Sequence, residues 1–349
     1  MSNEFGIWHC SLIISAPKAS LSGKGTHYQG RRVEEASCIL CSGPGEPWFG
    51  RPDKFPPHER FRVLRCRACG LGWVSPRPTP AEIGRYYPDT YSWRPEPQGA
   101  ESAVHRLERW YRFHLLHFET RQLVARTDLA AGDAVLDVGC GSGDRLLVLK
   151  EAGLVPAGVE ITPAADYARE RLGLDVRRGT LSDARFEDAR FRAVTLYNVI
   201  EHVHDPQAVL GEVRRVLAPG GWIVLQCPNA RSLQARTFGR RWAALDVPRD
   251  LYYYTPAILG RLLRQEGFEP AGVAHRTSFL HPPTAAISLA PWTDPQRFWM
   301  AEAEGSAAGG LARRAAWGLV TLLAAPCVWL ESALGSSAIP TTFARKPAG

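Results

Sequence analysis

The sequence predicts an α/β fold, a mostly parallel sheet with helices on both faces, preceded by a small cysteine-knuckle module. Three observations carry this. From Ala134 onward, short apolar runs alternate with helix-like segments, the pattern of strands joined by crossover helices. The first such strand runs into Gly139-Cys140-Gly141-Ser142-Gly143, where alternate glycines let the backbone turn sharply and approach a ligand closely. Ahead of this region, four cysteines fall as Cys38-x2-Cys41 and Cys66-x2-Cys69.

At 349 residues the chain has room for one large domain or two smaller ones, each with its own core. The net charge of +7 is spread along the chain without a Lys/Arg run, which argues against nucleic acid as a partner. Residues 1–30 show no periodicity and are expected to form a poorly ordered leader. They carry no signal-peptide pattern, so a cytoplasmic location with reduced thiols is expected. Each Cys-x2-Cys pair can then turn two thiolates toward one ion, and the two pairs together close a tetrahedral zinc site. Four protein ligands (Cys38, Cys41, Cys66 and Cys69) leave no open position, so the Zn2+ would be structural. The module is expected over residues 31–93, with Thr79-Pro80-Ala81-Glu82 starting a helix.

A Pro/Gly-rich linker at 94–100 and a long helix at about 101–126 lead to the main domain, expected over 131–349. His105, His114 and His117 on that helix read as surface residues rather than ligands. Strands are expected at 134–138, 155–160, 175–178, 191–198 and 222–226, with two late ones at 269–278 and 338–345 completing a seven-stranded sheet. The late strands bracket an apolar helical insertion at about 290–335. Its core, 315–330, is uncharged, is preceded by Arg313-Arg314 and contains Trp317 and Trp329. It is short for a membrane span but suits either an interfacial helix making peripheral membrane contact or a helix packed on protein.

The glycine turn lacks the third glycine of a dinucleotide site, since Asp144 stands there, and lacks the Gly-Lys-Ser/Thr of a P-loop. Asp137 at the strand end would repel a pyrophosphate but favour the cationic groups of S-adenosylmethionine. Glu160, at the end of the second strand, is in position to accept hydrogen bonds from both ribose hydroxyls. Two other classes stay open at this point: a binding adaptor that keeps a nucleoside fold without activity, and an NAD-linked oxidoreductase.

The motifs Asp137–Gly143, Glu160, Asn198-Val-Ile-Glu-His202 and Leu217-Ala-Pro-Gly-Gly221 together resemble those of class I S-adenosylmethionine-dependent methyltransferases. That resemblance implies a Rossmann-like sheet and a methyl transfer by in-line displacement. It implies that Gly139, Cys140, Gly141 and Gly143 line the methionine part of the cofactor, with Asp137 by its amino group, Glu160 on the ribose and Thr180 and Leu181 beside the adenine. Asn198 to His202 would form the floor between cofactor and acceptor. His202 is the first candidate base, since imidazole titrates near neutrality. Glu201, His204, Arg249, Tyr252 and Tyr253 are expected on the acceptor side. The front module resembles the four-cysteine zinc domain of some bacterial methyltransferases, among them enzymes acting on nucleotide-linked sugars. The acceptor is thus expected to be a small molecule, a sugar nucleotide or a lipid-linked glycan.

Overall fold

The computed structural model describes residues 26–28, 31–87, 103–275, 281–296 and 310–349. Most of the expected leader and the whole linker at 94–100 lie outside these residues. The front of the chain forms β1 (Thr26–Tyr28), β2 (Arg31–Glu34), β3 (Gly45–Pro52), β4 (Arg60–Cys66), β5 (Gly72–Val74) and β6 (Arg77–Pro78). Then come α1 (Ala103–Arg126), β7 (Ala134–Val138), α2 (Asp144–Glu151), β8 (Val155–Glu160), α3 (Ala164–Glu170) and β9 (Val176–Arg178). These are followed by β10 (Phe191–Tyr197), α4 (Pro206–Val216), β11 (Leu217–Gln226), α5 (Leu233–Phe238), β12 (Tyr252–Tyr253) and α6 (Pro256–Gln265). The chain closes with β13 (Glu269–Ala274), α7 (His281–Leu289), α8 (Gly310–Ala333) and β14 (Thr341–Arg345).

The central sheet has seven strands in the order β13-β14-β11-β10-β7-β8-β9. β7 to β11 pair parallel, while β14 runs antiparallel to both β11 and β13. The apolar runs are central because both faces are covered. Val135, Leu136, Ile223, Val224 and Leu225 are all fully buried. The helices begin where local chemistry supplies a cap. Asp205 Oδ1 accepts from Ala208 N at 3.0 Å ahead of α4, and Thr255 Oγ1 accepts from Ile258 N at 3.2 Å ahead of α6. Successive crossovers step outward through β8 and β9 on one side of β7, and through β11 on the other side of β10. The switch point therefore lies between β7 and β10, and the crevice beyond their carboxyl ends is where such sheets bind ligands.

Several expectations change. No α-helix starts at Thr79; the segment makes only a 3-10 turn, Ile83–Tyr86. Glu82 offers no side-chain cap there, and Arg77 and Pro78 just before it are held as strand β6. The fifth strand extends back to Leu217, and the insertion begins with α7, earlier than residue 290. Its apolar helix, Gly310–Ala333, has 24 residues and is by length and composition able to span a membrane, not short as expected. The front module is not a separate body either. β5 pairs with β12, so the sheet β12-β5-β4-β3 takes its outer strand from the C-terminal half of the chain.

Candidate active site

The glycine turn follows β7 at the switch point. Gly139, Gly141 and Gly143 have φ of 77°, 55° and 88°, a region that side-chain-bearing residues rarely enter. A Cβ on Gly143 would stand 2.5 Å from Leu174 Cδ1 and 3.2 Å from Ala168 Cβ, so α3 and its following loop press against the turn. The Cys140 side chain points beneath it, where a Cβ on Gly158 would meet its Sγ at 2.5 Å. Cys140 therefore presents backbone, not thiol, to the crevice.

Two carboxylates frame this turn. Glu160, 1% exposed, accepts from Gly141 N at 3.0 Å and from Thr162 N at 2.9 Å, one amide on each oxygen. A carboxylate offers about four lone-pair sites, and these two bonds fix its orientation at the turn. Asp137 is buried and accepts from Thr195 Oγ1 on β10 at 2.5 Å. Burial pushes its carboxyl up to about 6, against the pull of the Arg145 guanidinium and Thr195.

Thr180 and Asp183 cap each other, with Thr180 Oγ1 donating to Asp183 Oδ2 at 2.6 Å and Asp183 N donating back to Thr180 Oγ1 at 3.1 Å. The Leu181 side chain turns inward to the core. Asn198 adopts φ 54° just after β10, with its amide bonded to Gln226 O at 2.7 Å. Asparagine tolerates that conformation better than most residues.

Helix α1 lays a polar layer over the turn that the sequence motifs do not predict. Arg145, the second residue of α2, donates to Glu119 Oε2 at 2.7 Å, and its guanidinium lies 3.5 Å from the Tyr197 ring centroid. Gln226 Nε2 donates to the other Glu119 oxygen at 3.1 Å, and Arg112 pairs with Asp144. Helix α1 is thus fastened to the start of α2 by two ion pairs. Glu119 left a readable signal: it sits among Leu115, Leu116 and Leu123, a carboxylate in the middle of a buried apolar stripe.

On the acceptor side, Glu201, His202 and Asp250 converge, with one ligating atom from each within 4.8 Å of the others. That spacing is one a divalent cation could use. His202 Nδ1 donates to Arg249 O at 2.9 Å and lies 3.3 Å from Asp250 Oδ1, which makes Nε2 the lone-pair nitrogen of the neutral ring. Burial lowers His202 to about 4, so it is uncharged at neutral pH. Burial also raises the carboxyls of both Glu201 and Asp250 well above their usual range, and a neighbouring carboxyl adds to each shift. Glu201 Oε2, Tyr253 OH and Tyr254 OH are buried without a protein partner. His204 donates from Nε2 to Pro78 O at 3.0 Å.

Two expected acceptor contacts are engaged elsewhere. Arg249 is fully buried and bridges Asp53 Oδ1 at 2.5 Å and Asp246 Oδ1 at 2.7 Å, with its guanidinium 4.7 Å from the Phe55 ring. Tyr252 OH accepts from Arg77 at 2.9 Å and donates to His204 O at 3.3 Å. Both residues tie the front module to the acceptor loop, because both lie where that module's surface would otherwise bury unpaired charge and hydroxyl. Only Asp53 and Arg77, on the module, could have signalled this, and nothing local in the sequence marks them.

The four cysteines do come together. Their Sγ atoms stand 3.4 Å (Cys38–Cys69), 3.4 Å (Cys41–Cys66) and 3.6 Å (Cys38–Cys41) apart. This is far beyond a disulfide and close to the edge of about 3.8 Å in a tetrahedral zinc–thiolate cage. The amides of Leu40 and Cys41 point at Cys38, and those of Ala68 and Cys69 at Cys66. A Cβ on Gly43 would crowd two of the sulfurs at 3.2 Å. The donor set fits zinc.

Residues 109–271 match the family described as a methyltransferase domain. The chain is 29% identical to a ubiquinone biosynthesis O-methyltransferase of Cereibacter sphaeroides over 55% of its own length and 83% of that protein. It is 32% identical to the Methylococcus capsulatus enzyme of the same description, over 43% of this chain and 68% of the relative. Among solved structures it resembles a methyltransferase of Thermotoga maritima, described as a possible histamine N-methyltransferase. That likeness has 19% identity and a TM-score of 0.42, over 70% of this chain and 96% of that one. The chain belongs to the class I S-adenosylmethionine-dependent methyltransferases.

Proposed function

We propose that the enzyme methylates a hydroxyl group on an uncharged small-molecule acceptor. The observation that carries this is the buried His202–Asp250 pair beside Glu201. The relatives' description as O-methyltransferases agrees with it. S-adenosylmethionine supplies a methyl group already activated by its positive sulfur. Gly139, Gly141 and Gly143 would receive its methionine part, Asp137 its ammonium, Glu160 the ribose, and Thr180 and Leu181 the adenine edge. Asn198 would separate cofactor from acceptor.

The protein's remaining task is to position the acceptor, exclude water and remove a proton. The Nδ1–H of His202 is held by Arg249 O and Asp250, so Nε2 is the atom that takes the hydroxyl proton as the oxygen attacks the methyl carbon. The carbon–sulfur bond breaks with its electron pair passing to sulfur. Glu201, whose carboxyl burial raises well above its usual range, and the Tyr253 hydroxyl offer hydrogen-bonding partners to the acceptor. Arg249 is already paired, which disfavours a sugar nucleotide. A lipid-linked acceptor met at a membrane surface is favoured by the apolar 315–330 segment. We further assign Zn2+ to the four cysteines, in a reducing compartment such as the cytoplasm, where the seven described cysteines would stay unpaired.

The test is an acceptor screen with methyl-labelled cofactor on phenolic, quinol and glycosyl hydroxyl compounds, run beside calorimetry with S-adenosylmethionine. His202→Ala should lower turnover by about 10²–10⁴-fold while cofactor affinity holds. Unchanged turnover removes His202, and labelling of a carbon or nitrogen centre removes the hydroxyl acceptor.

A further inference from the structure

The α7–α8 hairpin carries the exposed apolar surface. On α8, Leu319, Leu322, Leu323, Trp329 and Leu330 are 58–75% exposed, and at the end of α7 Leu289 and Trp292 are 60% and 56% exposed. Over 315–330 the helix has no charge at all. Its exposed positions 319, 322, 323, 326 and 330 are spaced by three and four, so they share one face. The opposite face is already satisfied. Ala324 and Val328 pack against Ala285 of α7, and Glu331 accepts from Gln234 Nε2 at 2.9 Å. The helix is therefore apolar on two sides with protein on only one, an arrangement that water does not favour.

Arginines flank the hairpin, with Asp294 the acid beside Trp292. Arg313 and Arg314 stand at the start of α8. Arg236 donates to Ser336 Oγ at 3.3 Å just beyond its end. The turn after α5 exposes Arg240 and Arg241, and Ala243 N donates to Ser288 Oγ at 2.9 Å, which sets that turn beside Leu289. Tryptophan and leucine on an apolar face with arginines at its margin complement a bilayer's acyl boundary and its anionic headgroups.

We propose that the outer face of the α7–α8 hairpin, with the arginine turn after α5, docks the protein on an anionic lipid bilayer. The helix lies in the interface and does not cross it. Its inner side is occupied by the domain, Glu331 is held by Gln234, and the chain returns within a few residues to β14 in the central sheet. A second copy of the chain is the competing occupant, but a two-fold pairing through this face would bring like-charged arginines toward one another. The inference does not depend on the identity of the methyl acceptor.

Flotation of the full-length protein with phosphatidylcholine vesicles, with and without phosphatidylglycerol, tests it. The protein should float with the anionic vesicles about tenfold more than with neutral ones, and less as salt rises. Leu319→Glu/Leu323→Glu should stay with the soluble fraction, and Arg240→Glu/Arg241→Glu should lose the anionic preference. Both should keep wild-type affinity for S-adenosylmethionine by calorimetry, which reports folding apart from docking. Failure of the wild-type protein to float overturns the proposal, as does flotation of Leu319→Glu/Leu323→Glu at wild-type level. So does a wild-type dimer in light scattering that this leucine variant converts to monomer without any lipid binding.

Discussion

The two sides of the crevice are built by different routes. The cofactor side is nearly local. Glycine turn, Asp137 and Glu160 come from β7, β8 and the loops between them, and their key bonds, such as Gly141 N to Glu160, join neighbouring strands. The acceptor side is assembled from distant parts of the chain. Arg249 reaches Asp53, Tyr252 pairs with Trp73, and His204 bonds Pro78. The difference teaches that the four-cysteine module buttresses the loop 246–254, the proposed acceptor loop, and that the two sides should fail separately.

The largest expected effect comes from cutting that buttress at its buried cation. Arg249→Met leaves Asp53 in the interior without its counter-charge, while Asp246 keeps Lys54 Nζ at 2.9 Å. Removing one partner of a buried ion pair costs about 3–5 kcal/mol. Thermal unfolding should show the loss. Arg249→Met with Asp53→Asn should recover much of it, since the uncompensated buried charge is gone while Asp246 keeps Lys54. A single variant with wild-type stability would mean that the pairing does not hold the two parts together.

Metal removal should act more selectively. Stripping the proposed zinc with a chelator, or Cys66→Ser, should loosen the turns that hold β4 and β5, and β5 is the strand that pairs with Tyr252–Tyr253. Displacement of the acceptor loop by about 1 Å is enough to lower turnover on the order of a hundredfold. Cofactor affinity by calorimetry should change less than about threefold. Equal losses on both sides would erase the distinction.

The same division explains what could be read in advance. The sheet, its order of elements and the glycine turn were legible because they follow from local periodicity and short spacings. The parallel strands were near-continuous apolar runs, and Asp205-Pro206 and Thr255-Pro256 carried their own caps. The acceptor side was not legible. Arg249 was expected to hold an acceptor because, in sequence, it stands among tyrosines. Its carboxylate partner Asp53 lies in the front module, and no spacing connects the two. The hydroxyl of Tyr252 is likewise taken by Arg77, a residue that sequence proximity places with the four-cysteine module. Glu119 and Arg145 fall between these cases. Each breaks an apolar or glycine-rich pattern visibly, but what it pairs with is fixed only when α1 folds back over α2.

The smallest effect is the most specific to the cofactor side, and it is a pH dependence. In the free protein, burial raises Asp137 to about 6, so its ionised form is the costly one. Considered alone, this group stabilises the free fold less as pH rises from its unfolded value of about 3.8 through 6. A cationic ligand reverses the preference, because the ammonium of S-adenosylmethionine favours the carboxylate. Cofactor affinity should therefore fall as pH drops through about 6, by up to about tenfold per unit until the carboxyl of the complex also protonates. Asp137→Asn should bind more weakly at neutral pH, lose this slope, and gain stability above pH 6 in the free form. His202, already neutral down to about 4, adds no slope in that window. A slope that survives in Asp137→Asn would assign the titration to another group and detach Asp137 from the cofactor.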